Sequence, residues 1–582
     1  MTTSITLDHL REKFVTGETS PASVIQDIFS RIRAEGERPV WISLVDENQA
    51  VEQAASVDLS LPLGGIPFAV KDNFDVAGMA TTAGCPSFTY TADRTAPAIQ
   101  RLINAGAILI GKTNMDQFAT GLVGVRSPYG ACSSVYDSRY ISGGSSSGSA
   151  VAVAKGLCAF SLGTDTAGSG RVPAAFNNLI GLKPTRGLLS TNGVVPACRS
   201  LDCVSIFARA ARDAHILWDV AKGFDADDPY SRTFNPGAGA APWLISSFRF
   251  GVPEDSQFEF FGDEEAPQLY REAIGRLEAV GGERTIIDFT PFREAAKLLY
   301  SGPWVAERFA AVGEFLQTQS EGVIEVVKTI ILGGSRYSAA DAYRSAYRLE
   351  SLKQLASEEW ARMDVLLLPT TGTVYTREAV MSDPIRLNSN LGFYTNFVNL
   401  MDLAAVAVPA GFRRDGMPFG VSLIGPAFSD EALLRLAGYY LNECPAGKMA
   451  APGCVLVAVA GAHLSGQPLN YQLSDRRARR VKLCRTAADY RLYALDTVPR
   501  KPGLVREPGF QGCGIEVEVW AVPQDQFGSF VAAIPQPLAI GNVTLEDGMV
   551  LKGFICDRAE LSDAEEITTF GGWRNYLALG RS

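Results

Sequence analysis

The chain has 582 residues, and at roughly 100–200 residues per domain it is long enough to form several domains. Hydrophobic residues make up 47% of the sequence and charged residues 20%, which is close to the composition of folded globular proteins and excludes a wholly disordered chain. The 53 Lys and Arg residues and the 63 Asp and Glu residues give a net charge of −10 without a long basic stretch, which argues against nucleic acid as a partner.

No targeting or membrane-spanning segment is visible in the sequence. The first residues lack the basic start and apolar core of a signal peptide, and the uncharged run 449–474 is interrupted by Pro452, Gly453 and His463. The ten cysteines are scattered without a CxxC pair. We therefore expect a cytoplasmic protein with free, mostly buried thiols, without a metal site, a cofactor or a membrane partner.

Strand-like apolar runs alternate with helical patterns through the first three quarters of the chain. The predicted strands are 66–70, 107–111, 365–369, 404–409 and 420–424, and the predicted helices are 98–105 and 434–441. This alternation predicts an α/β fold with a central, largely parallel or mixed sheet covered by helices.

A stretch rich in Pro, Gly and Ala, residues 444–453, has no periodicity and is the best candidate for a domain boundary. We predict a first domain of residues 1–445, a linker of residues 446–453 and a C-terminal domain of residues 454–582. The C-terminal part contains short strand-like runs separated by turns, 455–459, 490–495, 515–521 and 550–555. These runs predict a small β-rich or α+β fold.

Two segments rich in glycine and serine, 142–149 and 163–173, stand out in the first domain. Such loops can bind anions through backbone N–H groups, but they are also common as simple turns, and neither segment matches a nucleotide-binding motif. The chain has only three histidines, His9, His215 and His463, in positions that do not favour a Ser-His-Asp arrangement. If a serine in these segments is a nucleophile, we expect its base to be another residue.

Lys71 is a candidate for that base. It follows the apolar run 65–70, which could exclude water, and a buried lysine loses its charge readily and can then accept a proton. From its position alone, a surface lysine at the end of a strand is the simpler interpretation. Both interpretations remain open at this point.

Four motifs occur in order and with compatible spacing, GGIPFAVKDNFDVAG, GKTNMDQFATG, SGGSSSGSAVAVAKG and LGTDTAGSGRVPAAFNNLIGLKPTRG. Together they resemble the amidase signature family over roughly residues 1–440. The resemblance implies the amidase-signature fold and a Ser-Ser-Lys triad, with Ser169 as the nucleophile, Ser145 as the bridge and Lys71 as the base. The N–H groups of the turn formed by Thr166, Ala167, Gly168 and Ser169 would stabilise the oxyanion.

Two of these motifs depart from the commonest family pattern, at Ser147 and in the run 165–171, and both departures resemble the allophanate hydrolases of this family. The segment 460–470 is similar to their C-terminal domain, which implies a γ-glutamyl-cyclotransferase-like fold. The implied reaction releases ammonia from allophanate and leaves N-carboxycarbamate, which loses carbon dioxide. A histidine matching His463 is implicated in that decarboxylation, although a single histidine in an apolar strand is more often a hydrogen-bonded core residue.

The run 299–308 is similar to the substrate-specificity helix of those enzymes. The resemblance implies that Tyr300 and Arg308 bind allophanate, a carboxylated urea, and a guanidinium group suits a carboxylate. Without the resemblance, an ion pair of Arg308 with Glu307 or Asp288 on a solvated face is the preferred interpretation.

The implied substrate also suggests a functional link to a biotin-dependent urea carboxylase, a separate protein that makes allophanate, and base rates favour a homodimer. Two alternatives remain. The chain could be an A-type subunit of a glutaminyl-tRNA amidotransferase, or a catalytically silent scaffold whose glycine- and serine-rich loops merely turn. The sequence does not distinguish urea degradation from s-triazine degradation.

Overall fold

The structure is a computed structural model that describes residues 5–36, 39–234, 248–319, 321–443, 454–476, 478–546, 548–561 and 564–579. The chain divides into two compact units, Met1–Ala240 with Arg249–Pro445, and Ala241–Phe248 with Ala446–Ser582. The predicted linker, residues 446–453, lies outside the described residues.

Up to residue 443, the described chain contains thirteen strands. They are β1 (Trp41–Leu44), β2 (Pro67–Lys71), β3 (Ala80–Thr81), β4 (Tyr90–Thr91), β5 (Ile108–Thr113), β6 (Phe160–Asp165), β7 (Ile180–Lys183), β8 (Cys203–Ala208), β9 (Phe248–Pro253), β10 (Gly282–Ile287), β11 (Val365–Pro369), β12 (Leu403–Phe412) and β13 (Pro418–Pro426). The strands predicted from the apolar runs are all confirmed, with ends that differ by a few residues.

Eleven of these strands form one mixed sheet in the order β1-β5-β2-β6-β8-β7-β12-β13-β11-β9-β10, and β3 pairs with β4. Strand β2 is parallel to both of its neighbours, β5 and β6, whereas β6, β8, β7, β12 and β13 follow one another antiparallel. All residues of β2, β6 and β8 are buried. Strands that are covered on both faces read as continuous apolar runs, which is why the sequence located β2. Strands β6 and β8 were not predicted, because polar residues such as Ser161, Thr164 and Ser205 interrupt their apolar runs.

Helices flank this sheet, and they confirm the predicted α/β architecture. They are α1 (Leu7–Thr16), α2 (Pro21–Glu35), α3 (Glu47–Ser56), α4 (Pro97–Asn104), α5 (Ser147–Ala154), α6 (Val172–Phe176), α7 (Ala211–Ala221), α8 (Ala266–Ala279), α9 (Thr290–Ser301), α10 (Val305–Thr318), α11 (Glu325–Leu332), α12 (Ala339–Trp360), α13 (Arg377–Ser382), α14 (Arg386–Leu391), α15 (Asn396–Leu400) and α16 (Asp430–Tyr440). The small residues of α5 allow it to pack with Ala69 of β2 and Phe207 of β8, directly beside the glycine- and serine-rich segment 142–149.

The C-terminal unit has a β-rich fold with short helices, as predicted. Its strands and helices are β14 (Cys454–Val459), α17 (Tyr471–Ser474), β15 (Arg479–Arg485), β16 (Tyr490–Leu495), β17 (Lys501–Arg506), β18 (Glu516–Pro523), α18 (Gln524–Ala532), β19 (Leu538–Thr544), β20 (Val550–Cys556), β21 (Glu565–Glu566) and α19 (Trp573–Leu579). A five-stranded sheet, β15-β18-β14-β20-β19, and a three-stranded sheet, β17-β16-β21, enclose a core that includes Trp520, Phe530 and Trp573.

Two further expectations concern the whole chain. Nine of the ten cysteines are described, and six of them are buried, as expected, while Cys444 lies outside the described residues. None of the described helices is both long enough and apolar enough to cross a membrane.

Candidate active site

Lys71 and Thr164 lie at the same end of two neighbouring strands. Lys71 is the last residue of β2, and Thr164 is near the end of β6, which runs parallel to it with Val70 paired to Leu162. The Nζ atom of Lys71 donates hydrogen bonds to Thr164 Oγ1 at 2.7 Å and to Ser145 Oγ at 2.8 Å. Because Lys71 is fully buried, its interpretation as a surface lysine is wrong.

The surroundings of Lys71 favour its neutral form near physiological pH. Burial lowers the pKa of Lys71 from 10.5 to about 7. The carboxylates of Asp116, Asp202 and Asp165 oppose this shift of the pKa, and the positive charge of Arg308 adds to it. A lysine with a pKa near 7 is half neutral at that pH, and the neutral amine can accept a proton.

Ser145 lies in the loop that leads into α5, and Asp116 holds this loop in place. Asp116 Oδ2 accepts a hydrogen bond from the Gly124 N–H at 3.0 Å, and the Asp116 N–H donates to the carbonyl oxygen of Ser145 at 3.1 Å. A Cβ atom at Gly144 would collide with the Asp116 carboxylate. Glycine before Ser145 therefore permits the close packing that brings the Ser145 hydroxyl to Lys71.

Ser169 lies in the loop between β6 and α6, which is braced by a buried ion pair. Arg171 donates from Nε and Nη2 to the two carboxylate oxygens of Asp165, each at 2.9 Å, and both side chains are fully buried. Gly168 has a φ of +131°, and a Cβ atom there would lie 2.5 Å from Thr395 Oγ1. The loop therefore requires glycine immediately before Ser169, which is 3% exposed.

The predicted triad is assembled in part. Lys71 is hydrogen-bonded to Ser145, but the hydroxyl of Ser169 forms no hydrogen bond with any described residue. The predicted base and the predicted bridge are thus in contact, whereas the predicted nucleophile is not bonded to either of them within the described chain. His9 and His215, on α1 and α7, form no hydrogen bond with these three residues among those that the structure describes.

One of the four predicted oxyanion-hole donors is already engaged. The N–H of Gly168 donates to Asp165 Oδ1 at 2.9 Å. The N–H groups of Thr166, Ala167 and Ser169 donate no hydrogen bond to any residue that the structure describes. The predicted set of four donors is therefore reduced to three, because the fourth helps to hold the loop itself.

The run predicted as a substrate-specificity helix consists of two helices. The chain breaks at Gly302 and Pro303, between α9 and α10, because proline cannot continue the hydrogen bonding of a helix. Tyr300 lies on the last turn of α9 and Arg308 on the first turn of α10. The guanidinium carbon of Arg308 is 5.9 Å from the centre of the Tyr300 ring, so the break places the guanidinium group over that ring.

Arg308 is buried and does not lie on a solvated face. Its exposed fraction is 2%, and its Nη1 donates to Thr120 Oγ1 at 3.0 Å and to the carbonyl oxygen of Ala119 at 3.3 Å. The carboxylates of Glu307 and Asp288 bond to other residues, so the interpretation as an exposed ion pair is wrong. Within the described chain, Nε and Nη2 of Arg308 donate no hydrogen bond, which leaves one edge of the guanidinium group open.

His463 lies in a turn after β14, not in a strand as expected. Its Nε2 is 3.0 Å from Gln472 Oε1, and its ring stacks on Phe554 with the ring centres 4.8 Å apart. Burial lowers the pKa of His463, the hydrogen bond with Gln472 opposes that shift, and the charge of Lys501 adds to it. The expectation of a hydrogen-bonded histidine is confirmed, and the side chain lines a pocket of the C-terminal unit.

Sequence reasoning missed three residues that shape the first site. Thr164 is the second hydrogen-bond partner of Lys71. Asp116 holds the Ser145 loop, and Asp202 accepts hydrogen bonds from the Thr166 hydroxyl and from the Ala197 N–H. Thr164 could have been found, since it lies in a motif that the sequence singled out and on a strand adjacent to that of Lys71.

Comparison with known families agrees with this geometry. The amidase family model matches residues 24–434, and the model of the allophanate hydrolase C-terminal domain matches residues 455–578. The chain therefore belongs to the amidase family, a class of hydrolases that cleave amide C–N bonds.

Three relatives define its place within that family. The urea amidolyase of Saccharomyces cerevisiae is 42% identical over 93% of this chain and 31% of its own length, so the chain spans about a third of that protein. The A-type subunit of glutamyl-tRNA(Gln) amidotransferase from Deinococcus deserti is 35% identical over 75% of this chain and 96% of its own length. The solved structure of Kluyveromyces lactis allophanate hydrolase is 41% identical, with a TM-score of 0.77, and the match covers 98% of this chain and 99% of that one. The resemblance to allophanate hydrolases is confirmed and extends over nearly the whole chain.

Proposed function

We propose that this protein hydrolyses allophanate to ammonia and N-carboxycarbamate through an acyl-enzyme on Ser169, with Ser145 as the bridge and Lys71 as the base. The observation that carries this proposal is the fully buried Lys71, whose Nζ lies 2.8 Å from Ser145 Oγ. A hydroxyl can donate and accept hydrogen bonds at the same time, so Ser145 can pass a proton between its two neighbours.

The reaction proceeds by bond and proton changes at these residues. Ser169 Oγ bonds to the carbonyl carbon of the terminal amide, while its proton passes to Ser145 and the Ser145 proton passes to Lys71. The N–H groups of Thr166, Ala167 and Ser169 stabilise the oxyanion, and each such donor typically contributes about 2.7–4 kcal/mol. The C–N bond breaks, its nitrogen takes the proton from the relay, and ammonia leaves. Water then attacks the acyl carbon by the same relay and releases N-carboxycarbamate.

Binding of the substrate carboxylate is assigned to Arg308 and Tyr300. The open Nε and Nη2 edge of Arg308 can hold a carboxylate through two parallel hydrogen bonds. The Tyr300 ring, 5.9 Å from the guanidinium carbon, restricts the approach of the ligand to that edge. A buried cation in an acidic protein favours a small anionic amide over a neutral one.

The C-terminal unit favours an allophanate hydrolase over an amidotransferase subunit. The amidotransferase relative from Deinococcus deserti is matched over 75% of this chain, whereas the match to the Kluyveromyces lactis allophanate hydrolase covers 98% of it. The amidotransferase role leaves the C-terminal unit without a function. Copurification with a partner subunit, together with glutaminase activity and no turnover of allophanate, would favour the amidotransferase.

The decisive experiment measures ammonia release from allophanate by the purified protein and labelling by a fluorophosphonate probe. The wild type is expected to release ammonia and to be labelled at Ser169, whereas Ser169→Ala is expected to do neither. Ser205→Ala is the matched control, because Ser205 is also buried and its hydroxyl has no hydrogen-bond partner in the described chain. Well-folded wild-type protein that resists the probe would indicate a scaffold, and turnover of other amides without allophanate would reject the substrate.

For the C-terminal unit, we propose that His463 promotes the loss of carbon dioxide from N-carboxycarbamate, so that the net products are ammonia and carbon dioxide. His463 is a hydrogen-bonded imidazole at the edge of a pocket, and burial lowers its pKa, so the ring is neutral and able to accept a proton at neutral pH. His463→Ala is expected to spare ammonia release and to slow carbon dioxide evolution. Equal effects on the two rates would remove the reason for a separate chemistry in this unit.

We further propose a cytoplasmic homodimer that receives allophanate from a biotin-dependent urea carboxylase. The free buried thiols of Cys85, Cys158 and Cys203 suit a reducing compartment, and the yeast urea amidolyase relative supports the connection with urea. Light scattering after size-exclusion chromatography tests the dimer, and cell fractionation tests the location. Growth on urea as the nitrogen source, lost on deletion of the gene, tests the connection with urea.

A further inference from the structure

The segment of residues 116–126 contacts two parts of the candidate active site. At its start, the N–H of Asp116 donates a hydrogen bond to the carbonyl oxygen of Ser145 at 3.1 Å. In its middle, Thr120 accepts a hydrogen bond from Arg308 through its side-chain oxygen. One continuous stretch of backbone therefore touches both the loop of Ser145 and the guanidinium group assigned to the substrate carboxylate.

The backbone just before Thr120 adopts a conformation that residues with side chains disfavour. Phe118 has a φ of +48° and Ala119 a φ of +52°, both in the left-handed region that glycine favours. The carbonyl oxygens of these two residues accept hydrogen bonds from Arg308 Nη1, at 3.5 Å and 3.3 Å. Backbone strain of this kind persists where surrounding contacts impose it, and it is concentrated at sites of binding and catalysis. The strained turn therefore points to a functional demand on the direction of the two carbonyl groups.

The hydroxyl of Thr120 is buried and has a defined orientation. Its Oγ1 donates to the carbonyl oxygen of Phe118 at 3.2 Å and accepts from Arg308 Nη1 at 3.0 Å, the shortest hydrogen bond described for this guanidinium group. A hydroxyl that gives its one proton to a first partner presents its lone pairs to a second. The Phe118 carbonyl therefore orients the Thr120 hydroxyl as an acceptor for Arg308.

Thr120 is also held through its main chain, by Arg126. Nη1 of Arg126, a residue with an exposed fraction of 3%, donates to the carbonyl oxygen of Thr120 at 3.0 Å. The Arg126 N–H donates to Asp116 Oδ1 at 2.8 Å, and the Val123 N–H donates to Asp116 Oδ2 at 3.2 Å. These hydrogen bonds close the segment on itself, so both the main chain and the side chain of Thr120 are fixed.

The contacts of Arg308 with this segment engage only one corner of its guanidinium group. The hydrogen bonds that Arg308 donates within the described chain all start from Nη1, whereas Nε and Nη2 donate none to any described residue. A carboxylate forms two parallel hydrogen bonds with a guanidinium group only when it lies in the plane of that group. Holding Nη1 in place therefore fixes the plane and the direction of the open edge.

We propose that Thr120 is a positioning residue that favours an anionic amide as substrate, because its hydroxyl fixes the guanidinium group of Arg308. This inference rests on the proposed function, in which Arg308 binds the carboxylate of allophanate. Without the hydroxyl, Nη1 keeps only the two longer hydrogen bonds to carbonyl oxygens, and the guanidinium group can rotate out of the plane that the carboxylate needs.

The effect of Thr120 is expected on substrate binding and not on the chemistry at Ser169. Within the described chain, the Thr120 side chain forms no hydrogen bond with Lys71, Ser145 or Ser169. The substrate carboxylate is not broken or formed during acylation, so its contact with Arg308 is equally strong in the ground state and the transition state. Loss of such uniform binding raises KM and leaves kcat nearly unchanged.

The first test compares Thr120→Val with Thr120→Ser in steady-state ammonia release from allophanate by the full-length protein. Valine has the shape of threonine but lacks the hydroxyl, whereas serine keeps it. We expect Thr120→Val to raise KM at least fivefold with kcat within about threefold of wild type, and Thr120→Ser to keep KM within about twofold. Thr568→Val is the matched control, because Thr568 is a buried residue of the C-terminal unit whose hydroxyl accepts the Leu492 N–H at 3.0 Å. Its KM is expected to equal that of the wild type.

The second test measures binding without turnover of allophanate. A neutral fluorophosphonate carries no carboxylate, so Thr120→Val is expected to be labelled at Ser169 within about twofold of the wild-type rate. Malonamate, which replaces the central NH of allophanate by CH2, is expected to protect Ser169 from the label. The malonamate concentration for half protection is expected to be at least fivefold higher in Thr120→Val than in wild type and nearly unchanged in Thr120→Ser.

A double-mutant cycle tests whether Thr120 acts through Arg308. In an Arg308→Met background, adding Thr120→Val is expected to change half protection by malonamate less than twofold, because the group that Thr120 positions is already absent. A general structural defect would instead add its own effect in both backgrounds. Melting temperatures of all variants are measured as the folding check.

The outcomes distinguish failure of this inference from failure of the proposed function. Turnover of allophanate with an unchanged KM in Thr120→Val, or a labelling rate that falls as much as the protection does, overturns the role of Thr120 and leaves the amidase function intact. Protection by malonamate that depends on Thr120, in a protein that does not turn over allophanate, supports the role of Thr120 and rejects the substrate. Absence of both turnover and protection overturns both proposals. If Thr120→Val fails to fold, Thr120→Ala replaces it, and the comparison with Thr120→Ser decides in the same way.

Discussion

Replacement of Lys71 by methionine tests the proposed base most directly. Methionine has a similar length and suits a fully buried site, but it cannot accept a proton. Because the pKa of Lys71 falls from 10.5 to about 7, about half of the wild-type molecules hold a neutral amine at pH 7. An unperturbed lysine would be neutral in roughly one molecule in 3,000 at that pH. Loss of a positioned general base typically costs about 10²–10⁴-fold in rate, so we expect Lys71→Met to lose at least 100-fold in kcat/KM.

The pH dependence of kcat/KM provides an independent test of Lys71 as the base. The active species is the neutral amine, so kcat/KM for ammonia release is expected to fall as the pH decreases through about 7 and to level off above it. Ammonia release is measured between pH 5.5 and 9, with melting temperatures as a folding check. Lys155→Met is the matched control, because Lys155 is ion-paired with Glu35 and is not part of the site. A wild-type rate in Lys71→Met, or a wild-type profile that is flat between pH 6 and 8, would refute lysine as the base.

Three further substitutions test the surroundings of the site. Gly168→Ala is expected to reduce the rate of fluorophosphonate labelling at least tenfold. The φ of Gly168 is +131°, and an added Cβ atom would lie only 2.5 Å from Thr395 Oγ1. Labelling at the wild-type rate would contradict this prediction. Asp165→Asn is expected to lower the free energy of unfolding by about 3–5 kcal/mol, because it leaves Arg171 buried without a counter-charge. Chemical denaturation measures this change. A loss below about 1 kcal/mol would show that the ion pair does not stabilise the fold. Arg308→Lys keeps the positive charge but loses the planar guanidinium group, which can bind a carboxylate through two hydrogen bonds. We therefore expect steady-state kinetics to give a KM for allophanate at least tenfold higher. An unchanged KM would show that Arg308 does not bind the substrate.

Much of the first site was predictable because its residues lie in local motifs. The lysine at the end of an apolar strand and the serines in the two glycine-rich loops stand in short stretches that the sequence displays directly. Glycine is needed at position 168 because its φ is positive and Thr395 packs closely against it, so the local sequence also indicates the geometry of this loop. Strand β2 was located because a strand covered on both faces is continuously apolar, whereas β6 was missed.

The remaining features depend on contacts between distant parts of the chain. Thr164 contacts Lys71 because β6 lies beside β2, although β5 comes between them in sequence. The hydrogen-bond partners of Arg308 come from the loop around Ala119, nearly 190 residues away in the sequence. The spacing of apolar residues along the chain does not indicate such a contact.

The order of strands in the large sheet limits how far such a catalyst can be miniaturised. The motif-bearing strands β5, β2, β6 and β7 form one contiguous block of the sheet together with β8, but β7 is hydrogen-bonded on its other side to β12, more than 200 residues later in the chain. In a fragment that ends after β8, the edge of β7 would be unpaired and apolar. Unpaired edges of this kind can pair with other copies of the fragment and promote aggregation. Protein engineers who seek a compact amidase from this scaffold must therefore retain β12 and β13, or design a replacement strand that seals the edge of β7.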